Sequence, residues 1–305
     1  MDTSNGQKIV NISMDIEDVY GDTVKLNALL LDFTEFFKKL AVPCDVYISG
    51  IRLDSLSPDI LSYMNCEKYI KLGYHSNTHS FMTIPMMNGM NSIFFAEEHC
   101  FDLQKKDFNP HSPGGIIKFR QLSDSPIFRC PNFAWTPSYF KYMKQFGMKY
   151  TNIDINYHKP FSFMGITILP VVEKPLEAFK EFSELKEQIE RYQAVSIYLH
   201  PSRLIYDQFW DKSKQRNVYD NISQRVELVK QLILSVQNEY KTINLHEIDN
   251  YYNSDDVLPN NDETENLILK SMTKKWTWSQ LPLNYYSQNH IDDCITVMRG
   301  LSLNN

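Results

Sequence analysis

The segment GYHSNTH, from Gly73 to His79, follows a short apolar run and carries two histidines four residues apart. Side chains at positions i and i+4 of a helical turn are neighbours, so both imidazoles can reach one cation. A catalytic zinc ion usually has three protein ligands and one position open to water. Histidine pairs at this spacing are more often ordinary surface or core residues, so the pair alone is weak evidence. If it binds a metal, a third ligand, usually a carboxylate, must come from elsewhere in the chain.

Length and composition describe an ordinary globular protein. The chain has 305 residues, of which 43% are hydrophobic and 22% charged, and this favours one large α/β domain. A net charge of -6 without clusters of Lys and Arg argues against nucleic-acid binding. The polar N-terminus shows no secretory signal, and no apolar run is long enough for a transmembrane segment. We therefore expect a cytoplasmic protein, while its oligomeric state does not follow from the sequence.

Strand and helix patterns alternate along most of the chain. Strands are predicted at 8–14, 45–49, 69–74, 127–131, 149–155, 166–172, 194–199 and 242–245, and helices at about 26–40, 92–106, 137–146, 176–192 and 221–240. Seven or eight strands interleaved with helices favour a parallel α/β barrel over an open sheet. In such barrels the chemistry takes place at the carboxyl ends of the strands.

The composition changes near the C-terminus. Residues 253–265 form an acidic, polar linker, and the segment after it has short helical patterns with several aromatic residues. We expect residues 1-252 to form the barrel domain and residues 253-305 to be a linker with a C-terminal helical extension. Its aromatic side chains suit packing on the barrel or on a partner better than contact with a sugar.

The residues able to take part in chemistry fall at the ends of predicted strands. Asp15 and Glu17 are two residues apart in a strand and should face the same side, whereas Asp18 should diverge. Arg129 and His200 end two later strands. Each residue alone has an ordinary interpretation: the acids as a solvated cluster or helix cap, the arginine as a structural ion pair, the histidine as a buried, hydrogen-bonded residue.

Taken together, four segments in this order resemble the motifs of one family. They are SMDIED (residues 13–18), HSNTH (75–79), RCPNF (129–133) and YLHP (198–201). They resemble the NodB-homology polysaccharide deacetylases, carbohydrate esterase family four, over about residues 8 to 246. The resemblance implies a distorted (β/α) barrel with about seven parallel strands. It also implies metal-dependent removal of acetyl groups from N-acetylated sugars.

The resemblance assigns roles position by position. It implies that Asp15 is the general base and that His75 and His79 bind the metal. The commonest first motif of the family is Thr-Phe-Asp-Asp-Gly, with adjacent acids, whereas here an isoleucine follows the first acid. Strand alternation selects Glu17 as the third ligand, and Asp18 is the alternative if the strand has already turned.

The later motifs complete the predicted site. Arg129 matches the arginine of the Arg-x-Pro motif, which is expected to pair with Asp15 and to hold it charged and oriented. His200 matches the late Leu-His motif and is expected to be the general acid. The predicted cofactor is a divalent metal, most simply Zn²⁺, although Fe²⁺, Co²⁺ or Mn²⁺ can use the same ligands.

These residue types suit amide hydrolysis, which needs an activated water, a stabilised oxyanion and a proton for the departing amine. A metal supplies the first two, and proton transfer by Asp15 and His200 contributes about 10²- to 10⁴-fold each. We expect a metal-dependent hydrolase that removes an N-acetyl group from an N-acetylated sugar, either a polysaccharide or its intracellular precursor. Two alternatives stay open: a related deformylase or amidohydrolase acting on another non-peptide C-N bond, and a non-catalytic carbohydrate-binding protein that keeps the cleft.

Overall fold

A computed structural model describes residues 8–17, 23–77, 100–102, 107–109, 115–133, 140, 143–154, 157–163, 165–206 and 221–252. The strands of this part of the chain are β1 Ile9–Ile16, β2 Cys44–Ile48, β3 Ile70–Tyr74, β4 Cys100–Asp102, β5 Asp107–Asn109, β6 Ile127–Arg129, β7 Tyr150–Ile153, β8 Phe161–Phe163, β9 Ile166–Pro170, β10 Ala194–Leu199 and β11 Lys241–Ile243. The α-helices are α1 Thr23–Leu40, α2 Gly50–Leu53, α3 Pro58–Cys66, α4 Gly115–Leu122, α5 Phe182–Ile189, α6 Pro201–Ile205 and α7 Ile222–Glu239. Short 3-10 helices span Pro131–Phe133, Leu176–Ala178 and Leu245–Asn250.

In the described part of the chain, seven parallel strands form a closed, distorted barrel, as the sequence predicts. Their order is β10-β1-β2-β3-β6-β7-β9, with every neighbouring pair parallel. The two ends of this path meet where Val171 pairs with Ser196, and the Val172 N–H donates to the Ser196 carbonyl at 3.0 Å. Strand β11 pairs with the amino-terminal half of β1, and β8 adds an antiparallel edge to β9.

Strand β1 shows how the sequence builds this barrel. All eight of its residues are buried, and successive side chains point to opposite faces. The even-numbered residues are apolar and belong to the large core that also contains the buried face of α1: Val10, Ile12, Met14, Ile16, Leu26, Leu30 and Phe33. The odd-numbered residues Asn11, Ser13 and Asp15 instead form hydrogen bonds with side chains of the neighbouring strands β2 and β10 and of β6 across the barrel. The barrel interior is therefore polar along much of its length.

The amino end of the barrel is closed by an apolar plug. Leu245 and Ile248, on the 3-10 helix after β11, are 0% exposed and pack with Ile9, Tyr47, Ile127, Leu169, Ala194 and Ile243. The plug helix begins at a capping box between Asn244 and Glu247. This closure leaves the carboxyl end as the end of the barrel where a ligand can enter.

Two predicted helices differ from the structure. The helix predicted over about 92–106 is wrong at Cys100–Asp102, which form β4 paired with β5, and the rest of its span lies outside the described residues. The helix predicted over 176–192 is divided into a 3-10 turn and α5. Between the two, Phe179 adopts an extended backbone with φ −87° and ψ 144° and is 2% exposed, so the chain leaves the helix where it buries this ring.

The remaining comparisons concern one helix end, the short elements, membrane-spanning helices and the C-terminal extension. Gly147 has φ +75° after a short helical stretch at 143–145, the left-handed conformation in which a glycine commonly ends a helix. Helices α2, α3, α4 and α6 and strands β5 and β8 were not predicted, because short elements leave little periodicity to detect. Across the described segments, no helix has the length and apolar character needed to cross a bilayer. The predicted extension 253-305 lies outside the described residues, and the boundary at 252 stays a prediction.

Candidate metal and catalytic site

Five of the predicted site residues converge at one end of the barrel. Asp15, Glu17, His75, Arg129 and His200 lie at or just after the carboxyl ends of β1, β3, β6 and β10, and each is at most 9% exposed. They meet because the strands that carry them are parallel, and the carboxyl ends of parallel strands lie on one rim. Their proposed roles remain predictions.

Asp15 and Arg129 form a buried ion pair. The arginine Nη1 donates to Asp15 Oδ1 at 2.5 Å, and both side chains are almost fully enclosed, at 0% and 3% exposed. The Nη2 of Arg129 donates to Ser13 Oγ at 2.8 Å and to Asn152 Oδ1 at 2.9 Å. The guanidinium also stacks on the Tyr47 ring, 4.1 Å from its centroid. These contacts leave Asp15 a fixed orientation, with Oδ1 on the arginine and Oδ2 towards the site.

Glu17 and His75 form the second pair. The backbone carbonyl of Arg129 lies 2.9 Å from His75 Nδ1 and can only accept, so Nδ1 carries a proton and donates it. The other ring nitrogen, Nε2, lies 2.9 Å from Glu17 Oε2. If the His75 ring carried a proton only on Nδ1, the lone pair of Nε2 would face a lone pair of the Glu17 carboxylate at 2.9 Å. A proton or a metal ion between them removes that repulsion.

Glu17 also faces a second imidazole. His200 Nε2 lies 3.6 Å from Glu17 Oε1 and 3.9 Å from Asp15 Oδ2. The Glu17 carboxylate is thus placed between two histidine rings that come from different strands. The strand argument that puts Asp15 and Glu17 on one side of β1 is confirmed, because both face this cluster.

Glu177 is a site residue that the sequence does not reveal. Its Oε1 accepts a hydrogen bond from His200 Nδ1–H at 2.8 Å, and its Oε2 accepts one from the His200 backbone N–H at 3.3 Å. Burial lowers the pKa of His200, but the carboxylates of Glu177, Glu17 and Asp15 outweigh it, so the net pKa is raised. No motif marks Glu177, which reads as an ordinary charged residue in a predicted helix.

The donor set suits a divalent metal. Asp15, Glu17 and His200 each offer a ligand atom, and these atoms lie within 4.8 Å of one another. The contact from His75 Nδ1 to a carbonyl oxygen is the outer interaction that commonly orients a metal-binding histidine. Carboxylate oxygen and imidazole nitrogen are ligands that Zn²⁺ and its neighbours accept. These residue types therefore fit a divalent metal, but this group of three shares only Glu17 with the predicted ligands Glu17, His75 and His79.

Part of the predicted ligand set lies outside the described residues. His79 and Asp18 are both there, so neither the second histidine ligand nor the alternative carboxylate is tested. The expectation that the histidine pair shares a helical turn is wrong for residues 75–77. Ser76 has φ +61°, in the left-handed region, and breaks any right-handed turn at its start.

Comparisons with known proteins support the fold. No protein-family model matches the chain, and no curated protein matches it. A proposed polysaccharide deacetylase from Mycobacterium smegmatis superposes with a TM-score of 0.55 at 12% identity, covering 85% of this chain and 95% of its own. The Puue allantoinase superposes with a TM-score of 0.50 at 10% identity, covering 81% and 91%.

A third similar structure is the Xyl-CE4 domain of a xylanase from the hindgut metagenome of Trinervitermes trinervoides. It has 14% identity and covers 80% of this chain and 90% of its own, but its TM-score of 0.41 is too low to support an inference. Identities of this size speak for the fold alone. The chain has the distorted barrel of the NodB-homology polysaccharide deacetylases.

Proposed function

We propose that this protein is a metal-dependent hydrolase that removes the N-acetyl group from an N-acetylated sugar. One observation carries the proposal: the Glu17 carboxylate lies between two imidazoles, beside an aspartate that a buried arginine orients. A binding module has no need for an oriented carboxylate and a histidine of raised pKa on one rim. A hydrolase needs both groups, because one takes a proton from the attacking water and the other gives a proton to the leaving amine.

Glu17 and His75 would hold the metal, with His79 as the predicted further ligand. When bound, such an ion polarises the amide carbonyl and makes a water molecule more acidic. The remaining steps belong to the protein. The near-complete burial of Asp15 and Arg129 keeps bulk water from the pair, which preserves the orientation of the carboxylate.

Asp15 would act as the base. Its Oδ1 is occupied by Arg129, so Oδ2 is the oxygen that can accept a proton from the attacking water. While Asp15 accepts from Nη1 of Arg129, three other oxygen atoms accept from Nη2, so the guanidinium cannot turn with the carboxylate. The pair therefore presents the same oxygen throughout the reaction.

His200 would act as the acid. Its Nδ1–H is held by Glu177, so the proton to be transferred lies on Nε2, which faces the site. In the metal-free protein, the raised pKa keeps a larger share of the His200 ring protonated near neutral pH than an isolated histidine would have. Transfer of the Nε2 proton to the amide nitrogen, with cleavage of the C–N bond, releases a free amine and acetate.

Two variants test this division of roles. Glu17→Gln should lose zinc binding because it removes a charged ligand, whereas Asp15→Asn should keep zinc and lose hydrolysis. Metal content is measured on purified protein, and acetate release is measured over a panel of N-acetylated mono- and oligosaccharides. Equal zinc loss in both variants would contradict the separate roles of ligand and base.

The assignment of the two histidines can be tested in the same way. His75 is 2.9 Å from Glu17 and His200 is 3.6 Å from it, and we assign the nearer ring to the metal and the farther ring to proton transfer. His75→Gln should therefore weaken zinc binding much more than His200→Gln. The reverse order would make His200 the ligand.

A related amidohydrolase or deformylase is the first alternative, since the same fold is found in an allantoinase. Release of acetate, formate and ammonia over a panel of acetamides, formamides and cyclic amides separates these activities. A metal-loaded wild-type protein that hydrolyses none of these substrates but binds sugars would instead favour the non-catalytic carbohydrate-binding alternative.

We further propose that the substrate is an intracellular precursor and that the protein is cytoplasmic. The test compares nucleotide- or lipid-linked N-acetyl sugars with assembled polysaccharide. Hydrolysis of the polymer alone would reject the precursor while leaving the deacetylase proposal intact.

A further inference from the structure

The backbone after β3 is held in an unusual position. Ser76 takes a left-handed φ of +61°, which is uncommon for a residue other than glycine, asparagine or aspartate. Ser76 and Asn77 are 3% and 0% exposed, although they follow the end of a strand. The segment from His75 to Asn77 is thus a buried, strained connection directly at the candidate metal site.

Three backbone hydrogen bonds hold this segment. The His75 N–H donates to the Ile48 carbonyl at 3.0 Å. The Gly50 N–H donates to the Ser76 carbonyl at 2.8 Å, and the Ile51 N–H donates to the Asn77 carbonyl at 2.9 Å. The end of β2 and the start of α2 therefore fix every residue from 75 to 77.

Two glycines make room for this arrangement. A Cβ atom added at Gly50 would lie 2.2 Å from Asn77 Oδ1, and one added at Gly115 would lie 2.7 Å from both the Cα and the Cβ of Asn77. Separations below 3.0 Å require something to move. Gly50 and Gly115 are also close to each other, since the Cβ built at Gly50 would lie 3.0 Å from the Gly115 Cα.

We propose that Gly50 and Gly115 form a slot that receives Asn77 and thereby positions His75 for metal binding. We call these two residues the glycine slot. They are positioning residues, because they touch neither metal nor substrate. Asn77 is two residues from His75, so a displacement of Asn77 tilts the imidazole that Glu17 and the Arg129 carbonyl must meet at 2.9 Å. The proposal rests on the metal site of the proposed function.

The contacts of the two glycines show which of them is better suited to substitution. The nearest atom to an added Cβ is a side-chain oxygen at both positions, Asn77 Oδ1 at Gly50 and Tyr74 Oη (2.5 Å) at Gly115. The backbone contacts differ, because the Asn77 Cα would lie 3.1 Å from a Cβ at Gly50 but 2.7 Å from one at Gly115. Gly50→Ala is therefore the milder change and keeps the fold accessible to measurement. Gly165→Ala is the matched control: Gly165 has φ +74° at the amino end of β9, so alanine is strained there, but the site lies at the opposite end of the barrel.

The test measures zinc affinity of the metal-free full-length chain by competition with a chromophoric chelator, together with the melting temperature of each variant. Gly50→Ala should weaken zinc binding at least tenfold, in the range seen for outer-shell changes. Gly165→Ala should lower the melting temperature while zinc affinity stays within twofold of wild type. Zinc affinity that falls in both variants in proportion to the melting temperature would overturn the proposal.

A second substitution separates the slot from a general packing effect. Asn77→Ala removes the oxygen that a methyl group at residue 50 would strike, so the double variant Gly50→Ala/Asn77→Ala should bind zinc at least as tightly as Gly50→Ala alone. Strictly additive losses would overturn the proposal. A wild-type chain that binds no divalent metal would refute the metal site itself, whereas wild-type binding with an unchanged Gly50→Ala affinity overturns only the slot.

Discussion

At the scale of single residues, the site depends on charges that are almost completely withdrawn from water. Arg129 and Asp15 are 0% and 3% exposed, and a buried ion pair loses much of its Coulomb energy to desolvation. Such a pair contributes little net stability while both partners are present. Removing one partner is different, because the remaining charge stays buried without its counterion.

We therefore expect Arg129→Gln to lower the free energy of unfolding by about 3–5 kcal/mol, the usual cost of breaking a buried pair. The double variant Arg129→Gln/Asp15→Asn should recover part of that loss, because it leaves no uncompensated charge. Urea denaturation of both single variants and of the double variant checks this. If the losses in the free energy of unfolding of the two single variants simply add in the double variant, the two side chains are not energetically coupled.

Glu177 offers a second prediction at this scale. Its carboxylate is the foremost of the groups that raise the pKa of His200 against the effect of burial. In metal-free protein, Glu177→Gln should lower the His200 pKa, because the carboxylate charge is lost while a hydrogen-bond acceptor remains. NMR titration of the imidazole measures the shift. The exposed Glu173→Gln is the control, and a His200 titration identical in the two variants would contradict the assignment.

At the scale of elements, polar side chains of β1 and its neighbouring strands form a row of hydrogen bonds inside the barrel. The row runs from Arg129 in the candidate site to the plug. Arg129 contacts Ser196, whose Oγ donates to Asn11 Oδ1 at 2.8 Å, and the Asn11 amide donates to Asp45 Oδ2 at 2.7 Å. Asp45 also accepts hydrogen bonds from the Asn244 side chain and the Leu245 N–H, both at 2.9 Å. One carboxylate on β2 thus anchors the start of the plug helix.

Asp45 should make stability fall as pH rises through weakly acidic values. Burial raises its pKa from the usual 3.8 to about 6, despite the hydrogen bonds from Leu245, Asn11 and Asn244. Between pH 3.8 and about 6, the Asp45 carboxyl group keeps its proton in the folded protein but loses it in the unfolded chain. Its contribution to the free energy of unfolding is therefore largest below about pH 4 and is lost as the pH rises through 6. The loss on passing to pH 7 is on the order of 3 kcal/mol.

Asp45→Asn should remove that decline. The variant should also be less stable by about 1–3 kcal/mol at neutral pH, since an amide NH₂ must face one of the donors that the carboxylate accepts. Urea denaturation from pH 4 to 7 compares wild type, Asp45→Asn and the exposed control Asp124→Asn. Parallel stability curves for wild type and Asp45→Asn would contradict the role of this carboxyl group.

At the scale of the whole molecule, closure of the barrel depends on its last described elements. Strand β11 pairs with β1, and Leu245 and Ile248 fill the amino end of the barrel. A fragment of residues 1–252 contains this whole plug, and we expect it to unfold cooperatively near the melting temperature of the full chain. A fragment of residues 1–244 lacks both plug residues and should show no cooperative transition, because their buried partners become exposed.

Thermal unfolding followed by circular dichroism compares these two fragments with the full chain. Failure of fragment 1–252 to fold would show that residues 253–305 belong to the barrel core. Cooperative unfolding of fragment 1–244 would show that the plug is dispensable.

Local pattern predicted the elements whose signal is periodic. Strand β10 was predicted with the bounds that the structure has, and β1, α1 and α7 nearly so, because each repeats its apolar residues over enough positions to define a face. The same alternation placed Asp15 and Glu17 on one side of β1. The divided helix around Phe179 and the short strand β4 were missed, because tertiary burial and strand pairing decide them.

The sequence by itself determined the barrel, its parallel strands and five of the residues on its rim, because strand period and strand order are properties of the chain. Only the tertiary structure decided which atoms meet. It placed Glu177 under His200, joined Asn11 to Asp45 inside the barrel, and put Gly50 and Gly115 against Asn77. These contacts join residues far apart in the chain, and their distances depend on how whole elements pack, which no local pattern records.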